Sequence, residues 1–103
     1  NDIHAGEIET STTLALRPDV VDMERAQDKT LDLDNEYLDF TSDRVVSWYV
    51  HTKTLTKSGV MGNATLATAE KGKKMWEIMI RKMAEFVETI KNTPTDRLFQ
   101  NRY

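Results

Sequence analysis

Between Leu66 and Ile90 the apolar side chains recur mostly in steps of three and four: Leu66, Ala69, Trp76, Met79, Ile80, Met83, Phe86, Val87 and Ile90. That period places them on one wide face of a helix. A stripe so wide has to be laid on another element, and this requirement constrains the fold more than any other feature of the chain. Asn63 or Thr65 can cap the start of the helix. Thr93-Pro94 ends it, because proline disfavours helical geometry in the residue before it. The tail TDRLFQNRY has too little apolar content to promise more than a docked extension.

The rest of the sequence offers few surfaces to receive that stripe. Residues 44–52, RVVSWYVHT, alternate β-branched and aromatic residues and read as a strand, with Val46, Trp48 and Val50 on one face and Val45, Ser47, Tyr49 and His51 on the other. Residues 10–16, TSTTLAL, read as a short helix ending near Leu16, and Pro18 can open a second piece carrying Val20, Val21 and Met23. Residues 24–43 show no sustained period and read as a long loop, a length that is usually functional or packed against another chain. In KSGVMGN, residues 57–63, Gly59 and Gly62 flank two apolar residues and predict a sharp turn or a close backbone approach. One strand cannot cover the long helix. Residues 1–103 are therefore not expected to occur as an isolated folded monomer.

Composition narrows the partners. A chain of 103 residues fits one modest domain, and 39% apolar with 30% charged residues is typical of a soluble globular protein. The net charge is -3, and the lysines and arginines are scattered, so no basic stripe offers itself to nucleic acid. There are no cysteines, which removes disulfides, thiolate metal sites and cysteine nucleophiles together. No apolar run approaches the roughly 18 to 20 residues of a membrane span, and no charged-then-apolar leader stands at Asn1. The expected setting is the cytoplasm, with no membrane partner.

His4, Glu7 and Glu9, in DIHAGEIETS, are the one grouped imidazole and carboxylates. Histidine is the side chain most easily poised for proton transfer near neutral pH, and carboxylates accompany it as metal ligands or orienting partners. Gly6 lets the backbone come close to whatever the cluster holds. An alternative stands beside this: glutamates in a first helical turn complement the macrodipole, and hydroxyl side chains there cap free amides. The spacing matches no general metal motif such as H-E-x-x-H, and one histidine with two glutamates cannot complete a metal site. His51 on the polar face of a strand reads as solvent-facing or hydrogen-bonded, Trp76 and the methionines of the long helix as core, and Trp48 as core or pocket wall. Glu70-Lys71-Gly72-Lys73-Lys74 reads as a solvated helix face.

DIHAGEIETS followed by LALRPDVVDM, and later SGVMGNATLATAEKGKKM leading into the amphipathic helix, closely resembles the creatininase (creatinine amidohydrolase) family. The two motifs stand in the family's order and cover about residues 2 to 90. The resemblance implies an α/β fold: residues 1–103 would be the C-terminal portion of a three-layer α/β/α sandwich with a mostly parallel sheet. It implies a metal-dependent amidohydrolase with two divalent ions, Zn, Mn or Fe, acting on a cyclic or formyl C–N amide bond. A peptide amide, or a non-catalytic binding or assembly subunit of the same fold, are the alternatives.

The histidine of HAG maps to His4, which the resemblance makes the catalytic or substrate-orienting imidazole. The glutamate after HAG maps to Glu7, a candidate metal ligand, although creatininase proper carries a different residue there. The ETS glutamate maps to Glu9, a helix cap or a support for the ligands. The family's E-Q-H-G and N-G-H segments do not occur in this sequence. The resemblance thus implies an upstream half of the same domain, on a separate or cleaved chain, that brings the remaining strands and ligands. Asn1 is not an N-terminal nucleophile of the Ser, Thr or Cys kind. Family members assemble as rings, so a homo-oligomer, trimer or hexamer, is the further expectation, with a small-molecule amide as substrate.

Overall fold

The computed structural model describes residues 2–30 and 50–98, which fall into two compact units, Asn1–Lys73 and Lys74–Tyr103. Helix α1, Glu7–Leu16, opens the first unit with Glu7 and Glu9 in its first turn, where carboxylates complement the positive helix end. It closes at Arg17, whose N–H still reaches the Thr13 carbonyl at 2.7 Å before Pro18 takes the chain out of helical register. The second helical piece expected here is instead two 3-10 turns, Pro18–Val20 and Met23–Arg25. The Asp22 carboxylate accepts from Glu24 N–H at 3.1 Å and so starts a new turn rather than continuing the old one.

The segment after the SGV turn is the spine of this unit. Met61 pairs with His4 in one antiparallel bridge, and Asn63 pairs with Asp28 in another. Gly62 and Lys29 exchange backbone bonds of 2.8 and 3.1 Å, and Ala64 N–H donates to Gln27 at 3.1 Å. The Asn63 amide donates to the Asp28 carboxylate at 2.7 Å. Among the described residues these isolated bridges are the β pairings. Residues 44–49 of the expected strand lie outside the described residues. Its last residues are not extended partners of a sheet, since His51 is the N-cap of a single helical turn, α2, Thr52–Leu55.

Asn63 is indeed a cap, but of the 3-10 turn Ala64–Leu66, where its Oδ1 accepts from Thr65 N–H at 3.0 Å. The long helix α3, Ala69–Asn92, starts three residues later, and Thr68 Oγ1 accepts from Lys71 N–H at 3.2 Å in its first turn. Met61, Ala64 and Ala67 form the apolar core with Ser11, which is 0% exposed. The core is small because the elements touch through their backbones. A Cβ on Gly72 would come within 1.9 Å of the Ser11 carbonyl oxygen and 2.9 Å of Ala15 Cβ. Ser11 Oγ accepts from Thr68 N–H at 3.1 Å across the same contact. Gly72 is therefore a packed position inside the charge run 70–74, whose Glu70, Lys73 and Lys74 are exposed.

The second unit holds the remainder of α3 and α4, Thr95–Leu98. Pro94 separates them, and Thr93 N–H bonds back to Ile90 at 3.1 Å. The polar side of α3 is laced by Lys82–Glu85 at 2.7 Å and Lys91–Glu88 at 3.5 Å. Its apolar stripe is exposed, with Met83 at 62% and Phe86 at 58%, and Met79, Ile80, Val87 and Ile90 are exposed as well.

Candidate functional site

The site is built on the turn that joins His4 to α1. Met61 grips the backbone of His4 from both sides: its carbonyl accepts from Ile3 N–H at 2.8 Å and His4 N–H at 3.1 Å, and its own N–H donates to the His4 carbonyl at 2.8 Å. Ala5 then takes φ +49°, a left-handed conformation that reverses the chain. Gly6 stands at the N-cap of α1 without a side chain to offer. The capping comes from Asp2, whose Oδ1 accepts from Glu7 N–H at 2.9 Å and whose Oδ2 accepts from Ile8 N–H at 2.7 Å. A Cβ on Gly6 or on Gly62 would collide with that carboxylate and push it off the helix end.

This turn brings the first helical turn back over the histidine. Glu9 Oε2 lies 3.4 Å from His4 Nδ1, an ion-pair distance, and the same oxygen accepts from Ala5 N–H. The two side chains are 52% and 61% exposed and line a cleft of about 330 Å³. Thr10 and Thr13 of α1 continue its wall; Val20 to Met23, Arg25 and Ala26 form the facing side, with Val60 and Ala64 at its base. An imidazole with a carboxylate beside Nδ1 and facing a cleft is placed to take up and release a proton at its other nitrogen.

Glu7 goes elsewhere. Its carboxylate, on the side of α1 away from the cleft lining, accepts from Lys71 Nζ at 2.5 Å, and the same ammonium donates to the Leu66 carbonyl at 2.7 Å. The structure thus brings His4 and Glu9 together and ties Glu7 to the start of α3. No group of three His, Asp, Glu or Cys side chains placed to hold a metal exists among the described residues. With Glu7 paired to Lys71 and Glu9 to His4 and Ala5, these residues do not by themselves fit a metal ion. His51 stands exposed beside α2, away from the cleft lining.

Sequence reasoning gave Asp2 no role, read Lys71 as part of a solvated face, and did not place residues 22–25 at a cleft. Lys71 was hidden because its partner is 64 positions away. Asp2 stands five residues before the N–H it caps, outside the local capping spacings. The cleft wall after Pro18 consists of ordinary apolar and charged residues, and only the two short turns fold it towards α1.

Arg17 and Asp19, at the head of that wall, form a two-pronged pair of 2.8 and 2.7 Å. The Arg17 guanidinium holds the Asp19 carboxyl below the usual carboxylate range, and the carboxylate raises the guanidinium in turn.

Residues 1–87 match the family model for creatininase, described as creatinine amidohydrolase. A 3-dehydro-scyllo-inosose hydrolase of Thermotoga maritima is 34% identical over 99 residues, which cover 85% of this chain and 32% of that protein. A solved mutant creatininase of the Zn-Zn type is 27% identical, superposes with a TM-score of 0.65, and is matched over 85% of this chain and 31% of its own. The chain thus spans about a third of the length of the relatives it matches. No helix among the described residues is long and apolar enough to cross a membrane.

Proposed function

The chain belongs to the creatininase family, and from that premise we propose that the whole protein is an amidohydrolase in which His4 is the proton carrier and Glu9 its orienting carboxylate. The observation that carries this reading is the 3.4 Å pairing of His4 Nδ1 with Glu9 Oε2 on the wall of the cleft. A carboxylate at Nδ1 keeps a proton on that nitrogen and leaves Nε2 to serve the substrate. The imidazole takes a proton from the attacking water and returns it to the leaving nitrogen, and Glu9 stabilises the imidazolium formed in between.

Divalent metal ions belong to the proposal, two in number and Zn, Mn or Fe in kind, supported by the Zn-Zn type of the solved relative. When bound, such ions supply Lewis-acid polarisation of the scissile carbonyl. The described residues do not form their centre, so only the proton work is assigned to them. The fold proposed for the whole is the three-layer α/β/α sandwich. The exposed stripe of α3 would be laid on sheet from the rest of that domain, and copies would join in a trimer or hexamer.

The substrate proposed is a cyclic or formyl amide. A second reading, favoured by the 34% identity of the Thermotoga relative, is 3-dehydro-scyllo-inosose, a carbocycle without an amide, in which water would cleave a C–C bond beside a carbonyl and the imidazole would return its proton to the leaving carbon. Assays on creatinine, formyl amides, short peptide amides and that inosose separate them. Whichever is turned over, His4→Ala in the whole protein is expected to lower kcat/KM by about 10²- to 10⁴-fold with metal content unchanged. Undiminished turnover in that variant ends the reading.

A further inference from the structure

We infer that Asp2 is a positioning residue for the His4–Glu9 pair, acting through the turn that carries the histidine; the inference rests on the proton-carrier reading of that pair. Asp2 does not line the cleft. What it does is close a loop. Its two carboxylate oxygens take the N–H groups of Glu7 and Ile8, at 2.9 and 2.7 Å, so residues 3–6 are spanned by a side-chain bridge from Asp2 to the first turn of α1. Those N–H groups have no carbonyl partner within the helix and point along its axis, and a carboxylate is the acceptor the helix end favours.

The bridge fixes two things at once. It sets where α1 begins relative to the backbone of His4, which Met61 already holds on both sides. It also sets the rotation of the first helical turn, and Glu9 is on that turn, so the direction of the Glu9 carboxylate follows from it. Ala5 at φ +49° lies inside the closed loop, a conformation that a non-glycine residue keeps only where its surroundings impose it. The tight seat of the carboxylate points the same way. A Cβ on Gly6 would lie 1.5 Å from Asp2 Oδ1, and one on Gly62 would lie 2.2 Å from the same atom. The glycines of the two separate motifs, HAG and GVMGN, thus meet around one carboxylate oxygen. Remove the carboxylate, and both N–H groups lose their acceptor while the loop gains the freedom to move Glu9 off the imidazole.

The test uses the whole protein with four variants: Asp2→Ala, Asp2→Asn, Glu9→Ala and the double Asp2→Ala/Glu9→Ala. Asp2→Ala is expected to lower kcat by about a hundredfold with KM little changed, the scale of a small misplacement of reacting groups. Asp2→Asn is expected to recover only part of that loss, because its amide keeps one acceptor oxygen and turns an NH2 toward the other N–H. The double variant is expected to be no slower than Glu9→Ala alone, since Asp2 acts through Glu9. Losses that multiply in the double variant overturn the inference, as does Asp2→Ala as fast as wild type. A readout independent of turnover uses ¹³C-labelled histidine. The His4 ring resonances should move in Asp2→Ala as they do in Glu9→Ala, and move less in Asp2→Asn. Resonances that move in Glu9→Ala but not in Asp2→Ala reject the role of Asp2, even if His4→Ala were to leave activity intact and so reject the proton-carrier reading instead.

Discussion

The two units of the chain are held by different forces. In the first, small residues meet backbone to backbone: Gly72 against Ser11, Gly6 against Gly62, Ser11 Oγ on Thr68 N–H. Its apolar core is three side chains, Met61, Ala64 and Ala67. In the second, large side chains are plentiful and the stripe from Met79 to Ile90 is exposed. The first unit holds its chemical groups by hydrogen bonds and close approach. The second carries apolar surface that contributes nothing until another element covers it, at about 25 cal/mol per Å² removed from water. A histidine–carboxylate pair can thus be held by local backbone contacts while a neighbouring apolar face is exposed.

The sharpest way to break this comparison is to truncate the stripe. Phe86→Ala in the whole protein is expected to cost about 3 to 5 kcal/mol in denaturant unfolding, the penalty of an emptied core position. A cost within about 0.5 kcal/mol, that of an ordinary surface substitution, would show that the stripe stays wet in the whole protein. Gly72→Ala comes next. Its Cβ meets the Ser11 backbone rather than a movable side-chain tip, so α1 and α3 must separate, at an expected cost of about 1 to 3 kcal/mol. An unchanged midpoint would mean that the close contact between the two helices is not what holds the first unit.

Glu7→Gln sharpens the assignment of the carboxylates. If Glu7 serves Lys71, as its 2.5 Å pairing indicates, stability should fall by at most about 1 kcal/mol, because both side chains are partly exposed, and the metal content should stay whole. Loss of one ion per protomer from the purified variant would instead make Glu7 a ligand, the role the family resemblance implies. The smallest effect belongs to Asp19→Asn. The folded carboxyl is held below its ordinary range by Arg17, so its contribution is present above the unfolded value and lost as pH falls through the folded one. Wild type should therefore melt slightly above Asp19→Asn near neutrality, and the difference should vanish on acidification below the usual carboxylate range. A large difference at neutral pH would make the pair more than a surface contact.

Much of the site was legible in the order of the residues. HAG followed by a first turn bearing glutamates points to an imidazole next to a helix start, and Pro18 bounds that helix at Leu16, because both signals act over a few bonds. The pairing of His4 with Glu9 rather than Glu7 was not legible. Positions 7 and 9 lie on different sides of a helix, and which side meets the histidine depends on the left-handed turn at Ala5. The strand expected at 44–52 failed at its end for a similar reason: alternation describes residues 50–52 as well as it describes 44–49, but Thr52 begins a helical turn.

Local chemistry in the sequence therefore determined where α1 ends, that α3 is one long amphipathic helix, and that an imidazole stands just before α1. The tertiary structure decided what those pieces meet. Met61 takes the backbone of His4 from 57 positions away, Lys71 takes Glu7 from 64, and Gly72 closes on Ser11 from 61. Periodicity and capping are properties of neighbours within a turn or two of chain. The partner of a carboxylate, and the reason a glycine must have no side chain, are set by atoms that only the folded backbone brings within 3 Å.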